Sequence, residues 1–174
     1  MRRLQTPVFL ALLVAAAGPA AAQNPPPDAL VVTARNLMAD NEQHQVWLTK
    51  GGAASDVLPG DVIRYSLQFT NTQEQAVRNV VFSNPVPQGL RYVLESATAN
   101  VPNVAITFSI DGGTTYSAQP MIEVVENGER RNVPAPAAMY THVRWTVEGW
   151  VQPGGQVTAE FRAELPEPGA EQQQ

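Results

Sequence analysis

Cysteine is absent from the 174 residues. That excludes disulfides, a thiolate metal site and a thiol nucleophile, and it leaves no cysteine for lipid attachment. Lysine occurs once, at Lys50, which removes most lysine chemistry. The two histidines, His44 and His142, do not form an H-E-x-x-H pair. His142 falls on the polar side of its strand, where a solvated ring is expected. No G-x-S-x-G elbow and no G-x-x-x-x-G-K-[ST] loop occurs. Asp111-Gly112-Gly113 lacks the further carboxylates of a calcium loop and reads as a turn. The acid pairs Glu123/Glu126 and Glu160/Glu164 match the ordinary charge pattern of exposed strand faces. A retaining glycosidase pair would also need a cleft and a separation of about 5 Å. The expectation is a non-enzyme, with no catalytic residue, no metal and no cofactor.

Charge is also scarce, at 16% of residues against 44% hydrophobic, so the chain has the makings of a packed core and not of a disordered acidic tail. The balance is acidic. Setting aside Arg2 and Arg3 of the leader described next leaves 9 of the 11 basic residues against 16 acidic ones, a net charge of −7. Only Arg130-Arg131 form a basic pair in that body. An acidic surface without a basic patch argues against nucleic acid and against anionic membranes.

Long apolar runs are missing too. The longest, Val8–Ala17, is half of the roughly 20 residues that a helix needs to cross about 30 Å of hydrocarbon. Preceded by Arg2-Arg3 and followed by Ala20-Ala21-Ala22, it has the form of a signal peptide cut after Ala22. Leu4-Gln5-Thr6 fit a twin-arginine export signal poorly. The expected organisation is a signal peptide over 1–22, a Pro-rich spacer over 23–29, one domain over 30–165 and a polar tail over 166–174. No membrane span is expected in the mature chain. The location is the periplasm or the outside of the cell.

What the body does contain is alternation. In Val62–Thr70, Ile63, Tyr65, Leu67 and Phe69 share one side, with Arg64, Ser66, Gln68 and Thr70 opposite. Val80 and Phe82 repeat the pattern. So do Val104, Ile106, Phe108 and Ile110, then Val143, Trp145 and Val147, and last Val157, Ala159, Phe161, Ala163 and Leu165. Further strand candidates are 30–35, 43–50, 90–97, 121–126 and 130–133, with a helical turn as one reading of 34–40. The 15 prolines and 12 glycines gather between the strands, and Asp111-Gly112 and Asn127-Gly128 are hairpin signals. Strands with one apolar and one polar face make antiparallel sheets wet on one side, and two such sheets bury their apolar faces on each other. The fold class is all-β, an antiparallel immunoglobulin-like β-sandwich in a single domain, with a closed barrel as the alternative.

The ordered stretches PGDVIRYSLQFTNT, RNVVFSNPVPQGLRYV, ITFSIDGGTTYS and YTHVRWTVEGWVQPGGQVTAEFRAEL resemble the bacterial conserved-repeat family called domain of unknown function eleven. The likeness is carried by Pro59-Gly60-Asp61, Tyr65, Thr70-Asn71, Pro87-Gln88-Gly89-Leu90-Arg91-Tyr92 and Pro153-Gly154, and covers about Pro59 to Leu165. It implies an immunoglobulin-like sandwich in an exported or surface protein. It brings no catalytic residues, because these tags are turn and core positions. The chain departs from the family's habit in carrying one copy and no surface anchor.

Aromatic and basic residues supply the binding candidates. Trp145 alternates into the core. Trp150 stands beside Gly149 and a turn at a position where the pattern calls for a polar residue. Exposed there, it would stack on a sugar or anchor a protein interface; buried, it would cap the sandwich. Arg130 and Arg131 follow the Asn-Gly turn and could meet an acidic partner. The function expected is a structural or protein-binding role in the bacterial envelope, with a carbohydrate-binding accessory module as the alternative. The partner would be an envelope protein or a glycan.

Overall fold

The structure, a computed structural model, describes the backbone of 14–16 together with residues 29–50, 53 and 56–169. The rest of the leader and its cleavage point, most of the spacer, most of the glycine loop after Lys50 and the end of the tail lie outside the described residues. In chain order the elements are β1 (Val14–Ala16), β2 (Leu30–Asn36), α1 (Glu42–Thr49), β3 (Val62–Thr70), β4 (Val77–Pro85), β5 (Arg91–Tyr92), β6 (Thr98–Ala99), β7 (Val104–Ser109), β8 (Met121–Glu126), β9 (Glu129–Pro134), β10 (His142–Val151) and β11 (Gln156–Glu164).

All strand pairings are antiparallel. One sheet runs β1-β4-β10-β7; the other runs β2-β3-β11-β5, with β6 also on β11. β8 and β9 form a separate hairpin. Most of the alternating residues lie where their period puts them, while Val104, Ile106, Phe108 and Ile110 are half-buried at the core's margin and Ser109 between them is buried. Ile63, Tyr65, Leu67, Phe69, Val80, Phe82, Val143, Trp145, Val147, Val157, Ala159, Phe161 and Ala163 are all buried in one core. Trp145 of the first sheet meets Phe161 of the second at 6.1 Å between ring centres, and Phe161 in turn stacks on Tyr65 at 4.9 Å. The Trp145 indole N–H, dry at the centre, donates to the Thr98 carbonyl at 3.0 Å. The chain is a β-sandwich, and the closed barrel is set aside by the two separate sheets.

The chain changes sheets three times at one end, between β3 and β4, between β6 and β7 and between β10 and β11. Buried Asn71 ties the first and last of these together. Its side-chain amide donates to Gln75 and Val151 carbonyls at 2.9 Å, its side-chain oxygen accepts from Gln73 N–H at 3.0 Å, and its backbone exchanges bonds with Gly154 and Gly155. Gly155 is obligatory in this corner, because a Cβ there would lie 2.8 Å from the Gln152 carbonyl oxygen.

Two expected strands take other forms. Residues 43–50 are helical, as α1. Asn41 caps the helix by accepting from His44 N–H at 2.9 Å, and Glu42 stands in the first turn, where the helix dipole favours an acid. Residues 90–97 hold only the two-residue β5. Glu95 turns left-handed at φ 60°, and the Ser96 hydroxyl takes over from the ladder by accepting from Arg162 N–H at 3.0 Å. β6 then resumes on β11.

The Asn127-Gly128 turn joins β8 to β9 as expected, with both residues at positive φ (53° and 83°). The Asp111 turn is wider. The Asp111 carboxylate accepts from the Ser109 hydroxyl and from Thr114 and Thr115 N–H groups, and the chain pairs back only at Phe108–Ser117.

Candidate functional site

The β10 ladder on β4 slips between Val147 and Trp150. Glu148 and Gly149 there face a single β4 residue, Asn79, which is left-handed at φ 52°. Two residues against one is a β-bulge, which bends and twists its strand. On its other side the strand stays in register with β7, Glu148 N–H donating to the Asn103 carbonyl at 3.0 Å. Beyond the bulge Val151 is buried and Trp150 is 63% exposed. The Arg78 guanidinium, cross-strand from Trp150, lies 5.4 Å from the ring centre. That is a cation–π distance.

Trp150 borders a groove of about 430 Å³. Val101, Val147 and Val157 give it an apolar floor, and the amides of Asn103, Gln152 and Gln156 are on its walls. The bulge and the β10–β11 turn both contribute to it. The groove combines an aromatic side chain with apolar and neutral polar residues, and the Arg78 guanidinium lies over the ring at its border. Such a surface can hold a ligand by stacking, burial and hydrogen bonding. It carries no nucleophile or carboxylate.

Arg130 and Arg131 do not join this groove. They stand on β9, in the exposed hairpin arm. Arg130 pairs with Glu123 at 3.1 Å and Arg131 with Glu126 at 3.1 Å, all four side chains more than half exposed. Those pairs balance the arginines' charge locally and are worth little in water. Glu164, of the other acid pair, is bonded to Arg91 at 2.6 Å. Three of the four acids weighed as catalytic candidates therefore have an arginine on them. Among the described residues no three His, Cys, Asp or Glu side chains gather as a metal site.

His142 is half-buried on β10. Loss of water around the ring, and then the Arg144 charge, hold its pKa below the ordinary histidine value, while Asp111 pulls the other way. Arg144 itself lies 3.3 Å over the Tyr116 ring.

A second polar cluster escaped the sequence reading. His44 and Asp61 are 1% and 0% exposed, and the His44 Nε2–H donates to the Asp61 carboxylate at 2.7 Å. Asn36 Nδ2 and Leu58 N–H also donate to Asp61, at 2.8 and 2.7 Å. The cluster joins β2, α1 and the Pro59-Gly60 turn. It is closed to solvent and holds no hydroxyl or thiol, so it works as a clasp. The signal for it was Asp40-Asn41-Glu42, a helix start that places His44 one turn in. Trp47, on the same helix, is 39% exposed and donates its indole N–H to Asp56.

No family model matches the chain, and no curated protein is significantly similar to it.

Proposed function

We propose that this protein is an exported, non-enzymatic, immunoglobulin-like module of the bacterial envelope that binds a protein partner through the Trp150 groove. The observation that carries the reading is an exposed Trp150, with Arg78 over its ring, at the border of a groove that Val101, Val147 and Val157 also line. Tryptophan and arginine are the residues that dominate binding energy at protein interfaces, and a groove that sheds water around them concentrates it. Export is supported by Arg2-Arg3, the Val8–Ala17 apolar run and Ala20-Ala21-Ala22. The resemblance to the conserved-repeat family agrees with both fold and compartment.

One observation favours a second reading, a carbohydrate-binding module. Asn103, Gln152 and Gln156 line the same groove as Trp150, and amides that share a groove with an aromatic ring suit sugar hydroxyls.

A photo-crosslinking residue in place of Gln152, in cells that export the chain, separates the two. The protein reading expects one defined envelope protein at the crosslink, lost on Trp150→Ala. Quenching of tryptophan fluorescence by envelope glycans, absent in Trp150→Phe, with no protein crosslink, would transfer the site to the sugar reading. Neither signal would end both. Trp150→Ala should change folding stability by less than about 0.5 kcal/mol, as a surface substitution does, so loss of binding reports the site itself.

A further inference from the structure

β1 is a piece of the leader. Val14, Ala15 and Ala16 pair antiparallel with Phe82, Val81 and Val80 and close the open side of β4. If the chain is cut after Ala22, β1 leaves with the leader. β4 then becomes the rim of a sheet reduced to β4-β10-β7, with its outer N–H and C=O groups unpaired.

That rim has little of the usual protection. Sheet edges are commonly blunted by lysine, proline, charge or a β-bulge. Val80-Val81-Phe82-Ser83-Asn84 contains no charge, no proline and no bulge; Arg78, the bulge opposite Asn79 and Pro85 only bracket it. Among the described residues no strand other than β1 pairs with that side of β4. The mature start, Gln23-Asn24-Pro25-Pro26-Pro27, has three prolines that cannot donate to a ladder, and Leu30 is already paired with Phe69 in the other sheet.

We propose that the processed protein pairs β4 with β4 of a second copy, antiparallel about a twofold axis at Val81. The axis sets Val81 against Val81 and Val80 against Phe82, the three residues that β1 pairs with in the full chain, and the bulge at Asn79 ends the ladder. No like charges face each other, although the molecule as a whole is acidic. The apolar inner residues Val80 and Phe82 continue the core line across the junction, and the two sheet remnants fuse into one. The contact is isologous, so it closes at two copies and does not propagate. This rests on the export reading above.

The test uses the processed protein isolated from the periplasm of expressing cells. Intact mass first establishes the cut after Ala22. Sedimentation equilibrium then expects two chains per particle. Val81→Lys, which places two ammonium groups opposite each other on the half-exposed outer face, should return it to one. The full chain made by cell-free translation without signal peptidase should also be single. Amide exchange guards against a misfolded variant: in the unmutated protein, residues 80–83 should be protected at high concentration and lose that protection on dilution. A cleaved protein that stays single, or whose dimer survives Val81→Lys with residues 80–83 exchanging freely, overturns the inference and leaves export standing. An uncleaved chain overturns both. A single chain that holds a partner's strand on β4 gives the edge to another occupant and also overturns it.

Discussion

Asp61 has three side-chain or backbone donors aimed at its carboxylate and no contact with water. Hydrogen bonds to a buried charge are worth more than neutral ones, and removing one partner strands the others. Asp61→Asn replaces an acceptor oxygen with a donor facing donors. We expect a loss of about 3 kcal/mol of folding stability, read from urea unfolding; a loss below about 1 kcal/mol would mean the clasp is dispensable. His142 gives a pH effect of defined sign. Its folded pKa is depressed, chiefly by burial, so unfolding takes up a proton in mild acid. Its contribution is therefore complete above the unfolded value of about 6.5 and fades as pH falls through that value towards the folded one. Urea midpoints at pH 7 and pH 5 should differ less in His142→Gln than in the unmutated protein; an unchanged difference would show that other groups set the slope. Trp150 belongs to this scale as well. The sequence marked it as an apolar residue in a polar slot, but only the bulge opposite Asn79, which sets Arg78 instead of Val77 across from it, explains the cation over its ring.

At the scale of elements, the corners are more informative than the strands. Pro59-Gly60-Asp61, Asn71 and Pro153-Gly154 were legible as turn tags, and each has a mechanical task. Asp61 anchors α1 and the entry to β3, and its backbone bonds to Leu165 N–H at the end of β11. Asn71 joins the β3–β4 and β10–β11 sheet crossings. Asn71→Ala removes two donors and one acceptor from a dry corner and orphans the Gln75 and Val151 carbonyls, a cost of about 2–3 kcal/mol. A fall in melting temperature should accompany it, with Asn71→Asp failing to rescue because it cannot donate; full rescue by Asp would shift the weight to the single bond from Gln73. Two elements were misjudged from sequence for a shared reason. Residues 43–50 carry Val46 and Leu48 at strand spacing, and residues 90–97 carry Leu90, Tyr92 and Leu94 likewise. Periodicity over so few residues does not separate helix or turn from strand. Asn41 as a cap and Ser96 as a ladder substitute decided them, and both act through hydrogen bonds to particular backbone groups.

At the scale of the molecule, stability rests on the packing of two faces, because there is no cysteine to join them. The core is aromatic where the sheets meet, and a stacked or tilted pair such as Trp145–Phe161 adds about 0.5–1.5 kcal/mol beyond the area it buries. The hairpin arm β8–β9 extends from this body with Val125 and both arginines in solvent. A two-stranded ribbon of this kind is marginal alone, and it is held at its base by Ile122 against the core.

The sequence by itself determined the sandwich. A period of two assigns every strand residue to one of two faces, and burial of the apolar set follows from transfer free energy alone. It also determined the absence of thiol chemistry and the signal-like form of the leader, since these depend on which residues are present and not on where they meet. Tertiary structure decided the rest. Which residues line a groove, that His44 reaches Asp61, that Arg78 comes over Trp150, and which strand lies at the rim are contacts between distant parts of the chain. They depend on register, on one bulge and on the order of strands in a sheet, and local periodicity is the same for every order.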